Sequence, residues 1–200
     1  MIDFLAKGGI LVVPILFCSI IAAAIVVERA IRFRQIGAGE SEVAANIIRL
    51  VAEGREDQAV EAARRSAAPV AGVLAGALEV RGRDRRTAER VIGHAIEAAV
   101  RNLSRYLGTL AAIGSIAPML GLLGTVTGMI KAFMVIQQMG GKVNAAVLAG
   151  GIWEAMLTTA LGLAVALPAM VAHSWLDSRV ERFEAGIRSA VIALAKIMDR

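Results

Sequence analysis

The chain has 200 residues, 57% of them hydrophobic and only 20% charged, with a formal net charge of +5 and a single cysteine. Soluble domains average about 45–50% apolar residues on a similar count, so this composition argues against an ordinary water-soluble globule, and one cysteine excludes an internal disulfide. Between 28 and 105 fourteen arginines interleave with eleven acidic residues, which argues against a nucleic-acid surface despite the basic balance.

In chain order, the first element is an apolar run with no Lys, Arg, Asp or Glu between Lys7 and Glu28. A bilayer core of about 30 Å needs about 20 helical residues, so a first transmembrane helix is predicted at about 9–28. A secretory signal peptide is the competing reading, since Lys7 precedes the run. The run is long for one, contains Pro14, and shows no small-residue cleavage site. Bulky Phe17 before Cys18 also argues against a lipid anchor, leaving Cys18 as a small core residue.

Residues 28–105 read as a helical loop. Val43, Ile47, Leu50 and Val51 recur at helical spacing, with Ser41 as a cap and Gly54 at the C-terminal end. A short helix restarts near Asp57, and Pro69 opens a third, "VAGVLAGALEV". After the solvated "RGRDRRT" turn, Thr87 is a plausible N-cap. From there Val91, Ile92, Ala95, Ile96, Ala99 and Leu103 run without a breaker into a second span at about 107–133. This reading expects one helix of roughly 70 Å. A third span at about 143–174 continues into a C-terminal helix, 176–200, striped by Leu176, Val180, Phe183, Ile187, Val191 and Leu194. The expected fold is therefore an all-α membrane protein. Its three transmembrane helices carry long cytoplasmic helical extensions, within a single domain spanning 1–200. Lys and Arg flank the 28–105 loop and the tail, so the positive-inside rule predicts an outside N-terminus and an inside C-terminus.

Few residues carry chemistry. In the second span, Gly121, Gly124 and Gly128 form a small-residue face, matched in the third by Ala160, Gly162 and Ala164, with Pro168 further along. In lipid, helices associate by close packing, so such faces mark contacts. They suit packing of the second span on the third as well as assembly of several copies. No Gly-Lys-Ser/Thr follows, so this is not a phosphate loop. Thr125 and Thr127 lie in the same stretch, where a back-bond to the preceding turn is the ordinary use of a hydroxyl. Glu154 opens an otherwise uncharged segment, and an ionisable group at membrane depth needs water, a partner or neutralisation. No Lys or Arg within the spans offers itself. Thr158 falls on nearly the same helical face as Glu154, and Thr159 is rotated about 140° from it. His94 and His173 are isolated, so no metal site, cofactor or enzymatic activity is expected.

The segments "APMLGLLGTVTGMIKAF" at 117–133 and "GGIWEAMLTTALGLAVALPAM" at 150–170 resemble the two signature helices of the ExbB/TolQ/MotA proton-channel family. Three spans place the resemblance nearest the ExbB/TolQ branch. It implies a homopentamer in the bacterial inner membrane, N-terminus periplasmic and C-terminus cytoplasmic. The ring encloses the helices of two copies of an ExbD- or TolR-type single-span protein bearing an intramembrane Asp. It further implies that proton motive force energises a TonB- or TolA-type partner. Thr125, Thr159 and Glu154 match the family's polar pore positions, and Thr158 is secondary. The motif thus selects Thr159 where the helical face selects Thr158. Gliding or polymer-export motors and a non-conducting membrane scaffold are the alternatives.

Overall fold

The computed structural model describes residues 10–37, 39–138 and 145–198. Among these, every regular element is an α-helix: α1 Val12–Gly37, α2 Glu40–Ala52, α3 Glu56–Arg65, α4 Pro69–Glu79, α5 Arg85–Leu103, α6 Leu107–Gln138 and α7 Ala145–Met198. The helices that hold the three expected spans are long and apolar enough to cross a membrane. Residues 9, 143 and 144 of the expected spans lie outside the described residues. The chain divides into two compact units, Met1–Glu28 with Tyr106–Trp175, and Arg29–Arg105 with Leu176–Arg200.

The second unit has a water-type core. Ile47, Leu50 and Val51 of α2, Ala59 and Ala63 of α3, Val70, Val73 and Leu74 of α4, Ile96 of α5, and Ile187 and Leu194 of α7 form one buried cluster. Each large aliphatic side chain so buried stabilises the fold by about 1.5–3 kcal/mol. Phe33 and Phe183 add a stacked pair with ring centroids 5.6 Å apart. The tail stripe predicted from Leu176 to Leu194 belongs to this unit, on a helix that runs unbroken for 54 residues.

Local chemistry sets the helix ends. Gly54, at φ +74°, stops α2. The Arg55 N–H reaches the Leu50 carbonyl and the Gly54 N–H the Val51 carbonyl, the left-handed glycine cap that satisfies orphaned carbonyls. Pro69 sits in the first turn of α4, whose N-cap Ala68 has no capping side chain. Glu40 supplies the missing acceptor, taking the Val70 N–H at 3.0 Å from 30 residues away. The Cys18 side chain is partly buried.

Three sequence expectations are corrected here. Ser41 does not cap α2, which begins at Glu40 with Gly39 at its N-cap. Thr87 is not the cap of α5: Asp84 is, accepting the Thr87 N–H at 3.0 Å. The Thr87 hydroxyl and N–H together hold the Asp84 carboxyl below its ordinary range. Finally, the single helix expected from Thr87 to Phe133 is broken. The Ser104 N–H closes α5 on the Val100 carbonyl, and Tyr106 adopts φ +67°, a left-handed conformation that interrupts α-helix. Arg29, 3% exposed, donates to the carbonyls of Asn102 and Leu103 at 3.2 and 3.4 Å. A cation is thereby placed where the helix dipole is negative.

Burial holds the Glu40 carboxyl above its ordinary value of 4.5, partly offset by the Val70 bond. An acid with a raised folded pKa binds protons better folded than unfolded. Its penalty is absent below the unfolded value and grows as pH rises through the folded one. Glu40→Gln keeps an oxygen for Val70 and removes the charge. The expected outcome is a higher Tm at neutral pH and a flatter dependence of Tm on pH above about 4.5, measured by thermal unfolding from about pH 4 to pH 8.

Candidate functional site: the seam between α6 and α7

On α6 the residues Gly114, Ala117, Gly121, Gly124, Gly128 and Ala132 recur at three and four, and all are buried. They meet α7 at backbone distance. A Cβ on Gly121 would lie 2.9 Å from Thr159 Cα, one on Gly128 3.0 Å from Ala155 Cβ, one on Gly151 2.7 Å from Ala132 Cβ, and one on Gly162 2.5 Å from the Ala117 carbonyl oxygen. Gly124 packs directly on the Thr158 side chain. With lipid as apolar as any side chain, this close approach is what holds the two helices together. The α6 face is therefore used within the chain, against Gly151, Ala155, Thr158 and Gly162 of α7; Ala160 and Ala164 of the expected α7 face are exposed and make none of these contacts. Pro168 is not part of this seam. It faces α1 instead, lining a cavity of about 320 Å³ with Ser19, Ala22, Ala23 and Val26.

Each threonine of the seam donates its hydroxyl hydrogen to a carbonyl. Thr125 bonds to Leu122 at 2.6 Å and Thr127 to Leu123 at 3.0 Å, both back-bonds within α6. Thr158 bonds to Ala155 at 2.7 Å within α7. Thr159 alone makes a short bond across the seam, to the Gly121 carbonyl at 2.9 Å. The Thr158 hydroxyl lies 3.5 Å from the same Gly121 oxygen, so the two neighbouring hydroxyls of α7 converge on Gly121, while that of Thr125 is turned to Leu122. Thr158 is only 2% exposed, whereas Thr125 and Thr159 are half-buried. The helical face shared by Glu154 and Thr158 is thus the face α7 turns to α6. A hydroxyl that has donated its hydrogen keeps its oxygen lone pairs. Thr125 and Thr159 consequently offer acceptors to water or to the O–H of a protonated acid.

Glu154 has a partner that its sequence context does not offer. Lys131 Nζ lies 3.6 Å from Glu154 Oε1, with 64% and 31% of the respective side chains exposed. The expectation that no basic residue within the spans could pair with it is corrected. α6 runs to Gln138, so Lys131 is on the helix. The antiparallel register that sets Gly128 on Ala155 and Ala132 on Gly151 carries Lys131 to the turn of Glu154. Exposed Trp153 and Trp175 bracket the α7 span at 22 residues, about 33 Å, a belt spacing matched to a bilayer. That spacing sets Glu154, next to Trp153, at one end of the stretch between the two tryptophans, with Thr159 about 7.5 Å further along the axis. Among the described residues, no group of three His, Cys, Asp or Glu could hold a metal ion.

Residues 42–189, both signature helices included, match the model of the MotA/TolQ/ExbB proton channel family. The chain belongs to this family. Among its relatives, the biopolymer transport protein ExbB of Pseudomonas putida is 39% identical over 105 residues, 52% of this chain and 32% of that protein. The ExbB-like 1 protein of Synechocystis is 30% identical over 182 residues, covering 89% of this chain and 71% of its own length. The Tol-Pal system protein TolQ of Haemophilus influenzae is 33% identical over 112 residues, 56% of this chain and 48% of that protein. The chain thus spans less than half the length of the first and last of these. Relatives named ExbB and TolQ place it near that branch of the family.

Proposed function

We propose that this chain is the ring-forming, inner-membrane subunit of a proton-driven motor that energises an envelope-spanning partner of TonB or Tol type. The observation that carries the reading is the Thr159 hydroxyl bonded across the seam to the Gly121 carbonyl at 2.9 Å, inside the segment that matches the family. Threonine does not titrate in the useful range, so the proton store is a carboxyl from another protein, an Asp within the span of an ExbD- or TolR-type partner.

Five copies of this chain enclose two such helices, with N-termini periplasmic and C-termini cytoplasmic. A proton enters at the Glu154 end and neutralises the partner's Asp. The resulting carboxylic acid donates its O–H to the lone pairs of Thr159 and Thr125, which lowers the cost of carrying a polar group through a dry lumen. Release on the other side restores the charge. Each proton brings about 2.3 kcal/mol per 100 mV of potential. Five subunits cannot satisfy two partner helices in one arrangement, so successive protonations step the ring around them.

Mass spectrometry of the complex purified from its native membrane tests this reading. The expected result is a stoichiometric single-span protein with an Asp in its span. A homo-oligomer without any such partner contradicts the reading and favours a membrane scaffold. The periplasmic domain of the partner distinguishes a TonB or Tol load from gliding or polymer export.

A further inference from the structure

Lys131 is a seam residue to which the reading above gives no role. It stands within 3.6 Å of Glu154 at a place where the helices cannot drift apart. Gly128 and Ala132 of α6 pack on Ala155 and Gly151 of α7 at near-backbone distance on either side of the pair. The lysine is therefore carried by a tightly closed stretch of the seam, while its side chain stays 64% exposed. Exposed ion pairs contribute little to stability, so the pair is poorly explained as a staple: the glycine and alanine contacts already hold the helices.

We propose that Lys131 is a positioning residue of the ion pathway, fixing the Glu154 carboxylate over the mouth of the α6–α7 seam. The inference rests on the proton-motor reading and deepens it. Glu154 has three rotatable bonds and, unpaired, its carboxylate samples positions a few ångströms apart at the water interface. Paired, it is held one turn above Thr158, whose hydroxyl lies 3.5 Å from the Glu154 carbonyl oxygen, and about 7.5 Å above the level of Thr159. A proton acceptor held at one place, above the level of Thr159 though on another face of the helix, presents its proton to one entry. The cation also cancels the local negative charge, so a hydrated metal cation gains no net attraction by lodging at the mouth.

The test uses the purified complex with its single-span partner in liposomes, and reads proton flux with a pH-sensitive dye at low and high sodium. An exposed pair worth up to about 1 kcal/mol biases the carboxylate by at most about fivefold, so Lys131→Gln is expected to lower flux about three- to fivefold and to make the remaining flux sodium-sensitive. Lys131→Arg is expected to stay within about twofold of the parent, and the charge swap Lys131→Glu with Glu154→Lys to recover most of the loss. Parental flux in Lys131→Gln, or a charge swap as impaired as the single variants, overturns the proposal. Single variants that fail to assemble while the swap assembles overturn it as well, because the pair is then a packing contact. Thr159→Val run in parallel separates the two claims. If it conducts like the parent, the pore reading fails; if it is silent while Lys131→Gln conducts normally, only the positioning role fails.

Discussion

Gly162→Ala is expected to separate α6 from α7 and to lower the stability of the membrane unit by about 3 kcal/mol. The new Cβ would stand 2.5 Å from the Ala117 carbonyl oxygen and 3.2 Å from Gly121 Cα. Both opposing atoms are backbone, so no side-chain rotamer can relieve the clash and the helices themselves must move. In water a loosened pair of apolar helices would still be driven together by burial. In lipid that drive is missing, and contact depends on shape. Displacement at this point also breaks the Thr159–Gly121 bond, one turn away. Unfolding of the purified protein in detergent, followed by loss of helicity, measures the effect. A stability within about 0.5 kcal/mol of the parent would show that the seam is more compliant than its backbone contacts allow. Gly186→Ala, where nothing lies within 4 Å of the added methyl, serves as the control on the same helix.

The second large effect separates the two adjacent threonines. Thr159→Val is expected to reduce proton flux by about 10- to 100-fold, because a hydrogen bond involving a charged or charging group is worth about 1.5–3 kcal/mol and each 1.36 kcal/mol is tenfold in rate. Its cost in stability is small, about 0.6 kcal/mol for one interhelical hydrogen bond in a membrane. Thr158→Val is expected to behave in the opposite sense. Thr158 is 2% exposed and its hydroxyl bonds to Ala155 of its own helix, so valine keeps the shape that Gly124 requires and flux falls by less than about threefold. Equal losses in the two variants would show that both hydroxyls reach the path.

The spans were legible because the absence of charge over three stretches is a direct consequence of bilayer thickness. The α6–α7 seam was legible for a related reason: glycines at 121, 124 and 128 have little use on a lipid-facing surface. Other features were hidden by their physics. The break between α5 and α6 rests on Tyr106 at φ +67°, a conformation no residue pattern announces for a tyrosine. Asp84 and Thr87 both suit an N-cap, and only the observed bond to the Thr87 N–H decides between them. Helical spacing sets Thr158 on the face of Glu154, but it does not tell what that face meets. Seen alone, a polar face on an apolar helix suggests a wet lumen; paired with Gly124, it is a contact. Lys131 lies near the end of the second span, and no spacing along the chain sets it beside Glu154. An antiparallel register drawn from Gly128–Ala155 and Ala132–Gly151 carries it to Glu154.

The central claim, that the α6–α7 seam forms the wall of a proton path, is tested most directly by potential-driven proton flux into liposomes holding the purified complex. A potassium-diffusion potential of about 100 mV supplies about 2.3 kcal/mol per proton. The predicted result is steady internal acidification with the parent complex, reduced at least tenfold by Thr159→Val and by Thr125→Val in complexes that assemble fully. Acidification unchanged in both variants, or absent from the parent complex with its partner bound, would contradict the account.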